Sequence, residues 1–528
     1  MECIIYLKDD GRLVFRLGPD SLKIEGNFRK ALELMENTDK NIFITGKAGT
    51  GKSTLLMHFR SITKKKVAAV APTGVAALNI RGQTIHSFFK FRPDITVDAV
   101  QKLPAGRAGL YKRLDMIIID EISMVRADLL DCIDRFMRLN GKSNKPFGGT
   151  QVVFIGDLYQ LPPVVSSRER EMFRKSYTSE YFFDSKVFGK LELEFIELDT
   201  YFRQTDSAFI DLLNSIRNNR VTDQQLDELN RRCDPSFTPG INEGYVVLVT
   251  KNDLADSINM ENLSKLPGKA YSFSADTYGK FDKNYLPADE TITLKVGAQV
   301  MLVNNDPKKR WVNGSIGYIT GIQKDFIRVR LSAGLTVDVE PYTWELTRLF
   351  YDDSTKKLQS EVVGSFTQYP MMLAWAITIH KSQGKTFDKI LLDTRSGVFA
   401  NGQIYVALSR CRTIEGIVLK KRIEKKDIRT DWRVVRFLTN FQYAKSRENI
   451  SIEKRTELIN EAINNGKKVE IVYLKANDEK SIRVVSPELV GTLEYQGRKY
   501  LGMRGFDSKD SAQRSFRLDR ILEIRIVN

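Results

Sequence analysis

The stretch Thr45–Thr54, TGKAGTGKST, constrains this chain more than any other. It fits the pattern G-x-x-x-x-G-K-[ST] through Gly46, Gly51, Lys52 and Ser53. The apolar run NIFIT before it reads as a buried strand, and TLLMHFRSI after it reads as a helix. In that strand–loop–helix setting the pattern carries a mechanism. Glycines let backbone N–H groups turn inward around anionic oxygens, and the helix N-terminus adds partial positive charge. Gly46, Ala48, Gly49, Thr50, Gly51, Lys52, Ser53 and Thr54 are therefore expected to hold a nucleoside triphosphate. Lys52 would reach the β- and γ-phosphates and the Ser53 hydroxyl would hold Mg²⁺. Such a loop needs a parallel α/β sheet to carry it.

A second element supports the first. DMIIIDEISMV puts Asp120 and Glu121 at the end of an apolar run. A phosphate-loop fold carries its magnesium carboxylate at a strand end, so Asp120 is expected on Mg²⁺. Glu121, one residue on, is placed to polarise the attacking water. In FIGDLYQLPPV, Gln160 follows another strand and is the expected γ-phosphate sensor. A second α/β pattern starts near GYVVLVTKN but has no phosphate loop. One nucleotide site in a cleft between two similar domains is the expected arrangement. Arg203 of YFRQ and Arg410 of YVALSRCR are the cations expected to enter that cleft. Phe202 beside Arg203 would stack on the nucleotide base.

Patterning divides the 528 residues into several domains. Residues 1–26 read as a hairpin about a DDG turn; the charged KDDGR excludes a signal peptide. Residues 27–190 form the first α/β domain. Residues 191–302 and 370–425 form the second. Residues 303–369 lose helical period and read as short strands between Gly, Asn and Asp, a small β-barrel inserted in the second domain. Residues 426–450 read as a linker, at the end of a basic run (420–433) with seven Lys/Arg against three Asp/Glu. Residues 451–528 read as a separate helix-then-strand domain.

The net charge is +16, from 82 Lys+Arg against 66 Asp+Glu, which favours a polyanionic partner. The four cysteines are scattered and there are only three histidines, so neither a disulfide framework nor a zinc knuckle is expected. No apolar run approaches the roughly 20 residues of a membrane span. Two of the histidines sit in similar polar turns after apolar strands: His86 in GQTIHSFF and His380 in AITIHKSQG. With Thr73, Ser87, Lys381 and Ser382 they suit phosphodiester oxygens, and Phe88 and Phe89 offer faces for unpaired bases.

The set GKAGTGKST, APTGVAA, GQTIHSFF, IIIDEISMV, GDLYQLPPV, YFRQ, LKVGAQVMLVNN, NGSIG, AWAITIHKSQGKTFD and GQIYVALSRCR resembles the petite-integration-frequency (PIF) family of DNA helicases. That family is similar to the RecD-type helicases of superfamily one. The motifs run in order from about residue 27 to 425. The resemblance implies ATP and Mg²⁺ as cofactors and 5′-to-3′ movement on single-stranded DNA, with unwinding of forked or structured duplexes. It implies two RecA-like motor domains, a wedge near residues 89–110 and a Src-homology-3-like barrel. It adds Pro72 to the DNA track and Gly384 to the nucleotide site. It also implies a monomeric motor in the cytoplasm. The family's adenine-reading glutamine before the first strand is missing here, and Asn27 is the residue available to replace it. The tail resembles a WYL domain, a small Sm-like barrel, in KKVEIVYLKANDEKSIRVVSPELV, YQGRKYLGMRGF and RSFRLDRI. That implies a nucleic-acid, protein or small-ligand contact through Arg504, Arg514 and Arg517. Two other readings remain open at this level: a RecD-like subunit of a nuclease complex, and a nucleotide-switched DNA-binding regulator.

Overall fold

Six strands, the central ones short apolar runs, build the first sheet in the order Gln83–Thr84, Val67–Ala71, Met116–Ile119, Gln151–Ile155, Asn41–Gly46, Leu193–Leu198. Every neighbouring pair is parallel. Parallel strands are covered on both faces, so they read as continuous apolar runs, not alternating ones. The run MIII, for example, is buried at all of its residues. Helices Gly26–Asn37 and Lys52–Ile62 bury Phe28, Ala31, Met35, Leu55, Leu56 and Phe59 against one face. This is the computed structural model of the chain; it describes residues 3–7, 13–17, 20–22 and 26–527 except 105–106, 166–168, 200–205, 280–285, 333, 353 and 356.

The described chain divides into two units: Met1–Ile216 with Val221–Arg429, and Arg217–Arg220 with Thr430–Asn528. In the first unit a four-stranded parallel sheet forms the second α/β domain, ordered Ala376–Thr378, Val246–Val249, Ile390–Asp393, Ile417–Leu419. Between its helix Asn252–Lys265 and its strand Ala376–Thr378 lies the inserted β region. At the N-terminus Cys3–Leu7 pairs antiparallel with Leu13–Leu17, and a third strand Asp20–Leu22 joins them; the expected DDG turn lies outside the described residues.

Several expected boundaries move. Leu193–Leu198 pairs with Asn41–Gly46, so the first domain runs past residue 190 and the second starts later. Sequence cannot show this, because an αβ connection looks the same whichever sheet its strand joins. The insertion begins earlier than 303, since Tyr271–Ser274 and Thr291–Leu294 already pair antiparallel. Its strands fall into sheets of five, three and two. Residues 426–450 are not a free linker. Trp432–Asn449 is a helix whose Val434, Leu438, Thr439, Gln442, Tyr443 and Ser446 are buried. The charged run had masked its apolar stripe.

In the second unit, helix Ile452–Asn464 lies on a five-stranded antiparallel sheet ordered Ala512–Arg517, Arg498–Asp507, Lys480–Tyr495, Lys468–Leu474, Ile521–Val527. Its core includes Ile459, Ile471, Val485, Met503, Phe516 and Ile521. Arg455 is fully buried, and its guanidinium donates to the Ser446 and Leu518 carbonyls (2.6 and 2.9 Å). That places its charge on packing, where a fully buried cation needs such acceptors.

Candidate active site and nucleic-acid interface

All six strands of the first sheet point their carboxyl ends the same way, and the candidate residues follow those ends. This is the edge at which open α/β sheets place ligands. The phosphate loop follows Asn41–Gly46 directly. Gly49 and Gly51 have φ of 84° and 83°, a left-handed conformation that favours glycine. Gly46 is needed for space: a Cβ there would lie 2.8 Å from the Leu198 carbonyl oxygen. Helix Lys52–Ile62 starts at the loop's end, and Ser53 and Thr54 are exposed at its first turn. The Lys52 ammonium donates to the carbonyls of Gly46 and Lys47 at 2.6 and 3.0 Å.

Asp120 and Glu121 follow Met116–Ile119 and are reached by the field of Lys52. Along an extended strand two successive side chains point to opposite faces. Glu121 breaks that alternation with a left-handed backbone, φ 48° and ψ 44°. For a residue with a Cβ this costs about 1–3 kcal/mol, a strain that clusters at functional sites. Burial, and then the Glu121 charge, push the Asp120 carboxyl up to about 7; Lys52 pulls the other way. Burial also raises Glu121, opposed by Lys52 and Arg410, with Asp157 adding to the rise. A buried and a half-buried carboxyl, both with elevated pKa, suit a cation, which reverses that logic. No group of three or more His, Cys, Asp or Glu among the described residues forms a cage for one. The residues present fit Mg²⁺ held by the Ser53 hydroxyl, the Asp120 carboxylate and the phosphates themselves, as this ion prefers.

The second α/β domain supplies the opposite wall. Gln383 Nε2 donates to Glu121 Oε2 at 3.4 Å and to Gln160 Oε1 at 3.1 Å. Gln160 Nε2 donates to Asp157 Oδ2 at 3.3 Å. Helix Gln403–Leu408 brings the Tyr405 hydroxyl to the phosphate loop, where it accepts from the Ala48 N–H at 2.9 Å. Arg410 follows this helix and is 1% exposed. Its guanidinium donates to the Val406 and Lys385 carbonyls and to Ser409 Oγ (2.9, 3.4 and 2.9 Å), while its charge reaches Glu121. Arg203 and Phe202 lie outside the described residues.

Three of these residues were missed. Gln383 belongs to the HKSQG turn expected to face DNA, yet its amide donates to both the Gln160 carboxamide and the Glu121 carboxylate. Asp157 stands at a strand end in IGD, a signal that was there to be used. Tyr405 is hidden in the buried run IYVAL, which reads only as core. The Asn27 amide is committed elsewhere: it donates to the Glu197 carbonyl at 2.9 Å.

On the expected DNA track the residues separate. Ser87 and Lys381 are exposed, and Pro72 and Thr73 are half-buried at the start of helix Gly74–Asn79. Thr73 caps that helix by accepting from the Ala76 N–H at 3.2 Å. His86 and His380 are half-buried, and burial lowers the pKa of both. His86 Nδ1 is buried without a partner among the described residues. The His380 ring stacks on Phe399 with an interplanar angle of 13°. Gly384 is exposed with φ 76°. Three expectations are corrected. Phe88 and Phe89 are buried against Tyr111, and Phe89 also against Phe136, so they pack the core and offer no face to a base. Their helix, Ile85–Phe89, turns both rings inward. Ser382 is fully buried and donates to the Ile379 carbonyl at 2.7 Å, so it shapes the turn.

In the tail, Arg514 is paired with Asp510 (3.3 Å). Arg517 is paired with Asp519 (2.7 Å) and lies over the Tyr500 ring. Arg504 is exposed two residues from the exposed Phe506, on the same face of strand Arg498–Asp507.

Residues 25–227 match the family model described as PIF1-like helicase, and residues 455–526 match that described as WYL domain. The chain is similar to the human ATP-dependent DNA helicase PIF1, with 34% identity over 424 residues, which are 77% of this chain and 62% of that protein. It thus spans less than two thirds of the human relative's length. It is 31% identical to the ATP-dependent DNA helicase Pif1 of Bdellovibrio bacteriovorus, covering 78% of this chain and 91% of that one. Among solved structures it is similar to Bacteroides Pif1 in complex with ADP-AlF4, at 38% identity and TM-score 0.74, covering 80% of this chain and 97% of that one. It is also similar to Bacteroides Pif1 bound to ssDNA, at 40% identity and TM-score 0.58, covering 79% and 96%.

Proposed function

This chain belongs to the PIF1-like helicase family, and on that premise we propose that it is an ATP-dependent DNA helicase that moves along single-stranded DNA in the 5′-to-3′ direction. The observation that carries the reading is the meeting of groups from both sheets at one edge. Lys52, Asp120, Glu121 and Gln160 come from the first sheet, and Gln383, Tyr405 and Arg410 from the second. A site built from two domains ties phosphate chemistry to their relative movement, which a motor needs.

In this reading the loop amides and Lys52 hold the β- and γ-phosphates, and Gln383 with Gln160 keeps the Glu121 carboxylate turned toward the attacking water. Mg²⁺, when bound through Ser53 and Asp120, neutralises charge on the phosphates. Arg410 and Arg203 add positive charge as it redistributes to the leaving oxygens. Gly384 borders the same cleft and Phe202 stacks on the base. Thr73, Ser87, His86, His380 and Lys381 contact the DNA backbone, which positions a strand without reading its sequence. The tail adds a second contact through Arg504 and Phe506, a cation beside an aromatic face of the kind that holds unpaired bases. Arg514 and Arg517, already ion-paired, contribute less.

The support for DNA and nucleotide as ligands is that Bacteroides Pif1 has been solved with ssDNA and with ADP-AlF4. The test is steady-state ATP hydrolysis with and without single-stranded DNA, together with strand displacement on duplexes tailed at the 5′ or the 3′ end. The reading requires DNA-stimulated hydrolysis and displacement from the 5′ tail. Displacement only from the 3′ tail refutes the polarity, and no hydrolysis refutes the motor.

A further inference from the structure

The stretch NGSIG and the second lysine of HKSQGK have no part in the chemistry above, and the structure puts them together. Lys385 is only 8% exposed. Its stem lies against the loop before strand Ile316–Ile322: Gly314 there has φ 97°, and a Cβ on it would stand 3.2 Å from the Lys385 Cβ. Its ammonium has three protons to donate. Among the described residues it meets one acceptor, the Asn313 Oδ1, at 3.5 Å. The charge that bears on it is another cation, Lys381, exposed in the same turn. Asn313 Nδ2 in turn donates to Asn79 Oδ1 at 3.0 Å, and the Asn313 N–H donates to Asn305 Oδ1 at 2.9 Å. Asn79 ends helix Gly74–Asn79 of the first α/β domain, Asn313 belongs to the inserted β region, and Lys385 belongs to the second α/β domain. Three parts of the chain thus meet through one run of amides and a buried ammonium.

One long bond to a neutral amide is poor compensation for a cation taken out of water. Packing does not account for it, since a methionine would fill the same space with no charge to satisfy. The Asn79 and Asn313 carboxamides can present either an oxygen or an NH2 group. With the ammonium they can therefore offer a set of donors to an anion. Asn79 stands about 9 Å along its helix from Thr73, and Lys385 follows Lys381 in one turn, so the cluster adjoins the expected DNA track on both domains. We propose that Lys385, Asn313 and Asn79 form a binding site for one backbone phosphate of single-stranded DNA. The phosphate replaces the Asn313 oxygen as the ammonium's acceptor, and the two amides turn their NH2 groups toward it. A strand seated there ties the inserted β region to both motor sheets at once, so the insertion takes part in holding DNA. This rests on the DNA-binding reading given above and adds residues that it does not include.

The test uses the full chain with Lys385→Met, which keeps the stem and removes the charge, and with Asn313→Asp, which keeps the shape and gives the ammonium a carboxylate. Binding of fluorescent oligo-dT is followed by anisotropy over a salt series, ADP binding by competition, and folding by thermal melting. Lys385→Met should bind oligo-dT about tenfold to a hundredfold more weakly at low salt, the worth of one hydrogen bond to a charged group. Its salt slope should shrink by about 0.7, the share of one phosphate contact on a single strand. Asn313→Asp should lose affinity to a similar degree with every lysine in place, because the new carboxylate takes the ammonium. Asn305→Asp, which puts the same charge on the same loop without a contact to the ammonium, should lose much less. Both main variants should melt no lower than the wild type, and ADP affinity should be unchanged. A merely structural lysine would leave the salt slope where it was. Wild-type affinity in either main variant, an unchanged slope in Lys385→Met, an equal loss in Asn305→Asp, or a fall in ADP affinity overturns the proposal. Should Lys385→Met fail to fold, Asn313→Asp, at a half-buried loop position, decides it against Asn305→Asp. The wild type separates the two readings: if it does not bind oligo-dT the DNA reading itself fails, whereas a binding wild type matched by the variants removes only this site.

Discussion

Glu121→Gln keeps the size of the side chain and the left-handed backbone at that position, and removes one half-buried negative charge. Two effects follow, and they have opposite signs. Turnover should fall about 100- to 10,000-fold, the usual worth of a positioned general base, or about 2.7–5.5 kcal/mol of barrier. Nucleotide and DNA binding should stay near normal, because the phosphates are held by Lys52 and the loop. Stability should rise. The Asp120 carboxyl stands at about 7 against an ordinary 3.8, with burial as the larger cause and Glu121 as the second. Each pKa unit is worth about 1.4 kcal/mol, so the neighbour's share is on the order of 1 kcal/mol. Asp120's folded pKa is raised, so between pH 3.8 and about 7 the native state holds more protons than the unfolded chain. Stability therefore falls as pH rises through that window. The variant's gain should be clear at pH 8 and small at pH 5. Thermal melting of wild type and Glu121→Gln at both values, without nucleotide or magnesium, reads this directly. Wild-type turnover in the variant would refute the assignment of Glu121. A gain in melting temperature equal at pH 5 and pH 8 would refute the repulsion between the two carboxyls.

Other expectations concern the DNA track, the tail and one buried lysine. DNA affinity should fall steeply with salt and show little sequence preference, because the exposed track residues face phosphates; fluorescence anisotropy over a salt series checks it, and a flat profile refutes it. Arg504→Ala in the full chain should weaken single-strand binding several-fold and leave DNA-saturated hydrolysis unchanged, whereas Arg514→Ala, which only breaks an ion pair with Asp510, should do less. Burial lowers the Lys385 amine to about 8 from 10.5, with Lys381 adding to the fall. The native state then binds fewer protons between about pH 8 and 10.5, so motor stability should rise with pH across that window. Lys385→Met should flatten the rise and add on the order of 1–3 kcal/mol below pH 8; melting curves from pH 7 to 10 decide it.

The phosphate loop, the strand-end carboxylates and the two parallel sheets were legible because each depends on local order. A buried parallel strand must be apolar throughout, as MIII and VVLV are. A phosphate loop must carry glycine where φ is positive, as at Gly49 and Gly51. The placement of Phe88 and Phe89 was not legible. Two aromatics after a histidine look alike whether they face a base or a core, and only the packing of Tyr111 and Phe136 against them decides. The same holds for the helix Trp432–Asn449, whose surface charges dominate its composition while its buried stripe fixes its place.

What the sequence by itself determined is the inventory: one phosphate grip, one pair of strand-end carboxylates, one basic chain long enough for two motor sheets. These follow from neighbours along the chain, where spacing and side-chain type are enough. Tertiary structure alone decided the meetings. Gln383 reaches Glu121 across 262 positions, and Tyr405 reaches Ala48 across 357. Leu193–Leu198 joins the first sheet by pairing with a strand some 150 residues earlier. Such contacts have no local period, because they depend on how two separately folded sheets present their carboxyl ends to each other. The chain's spacing names the groups; only the packed sheets bring them within hydrogen-bond reach.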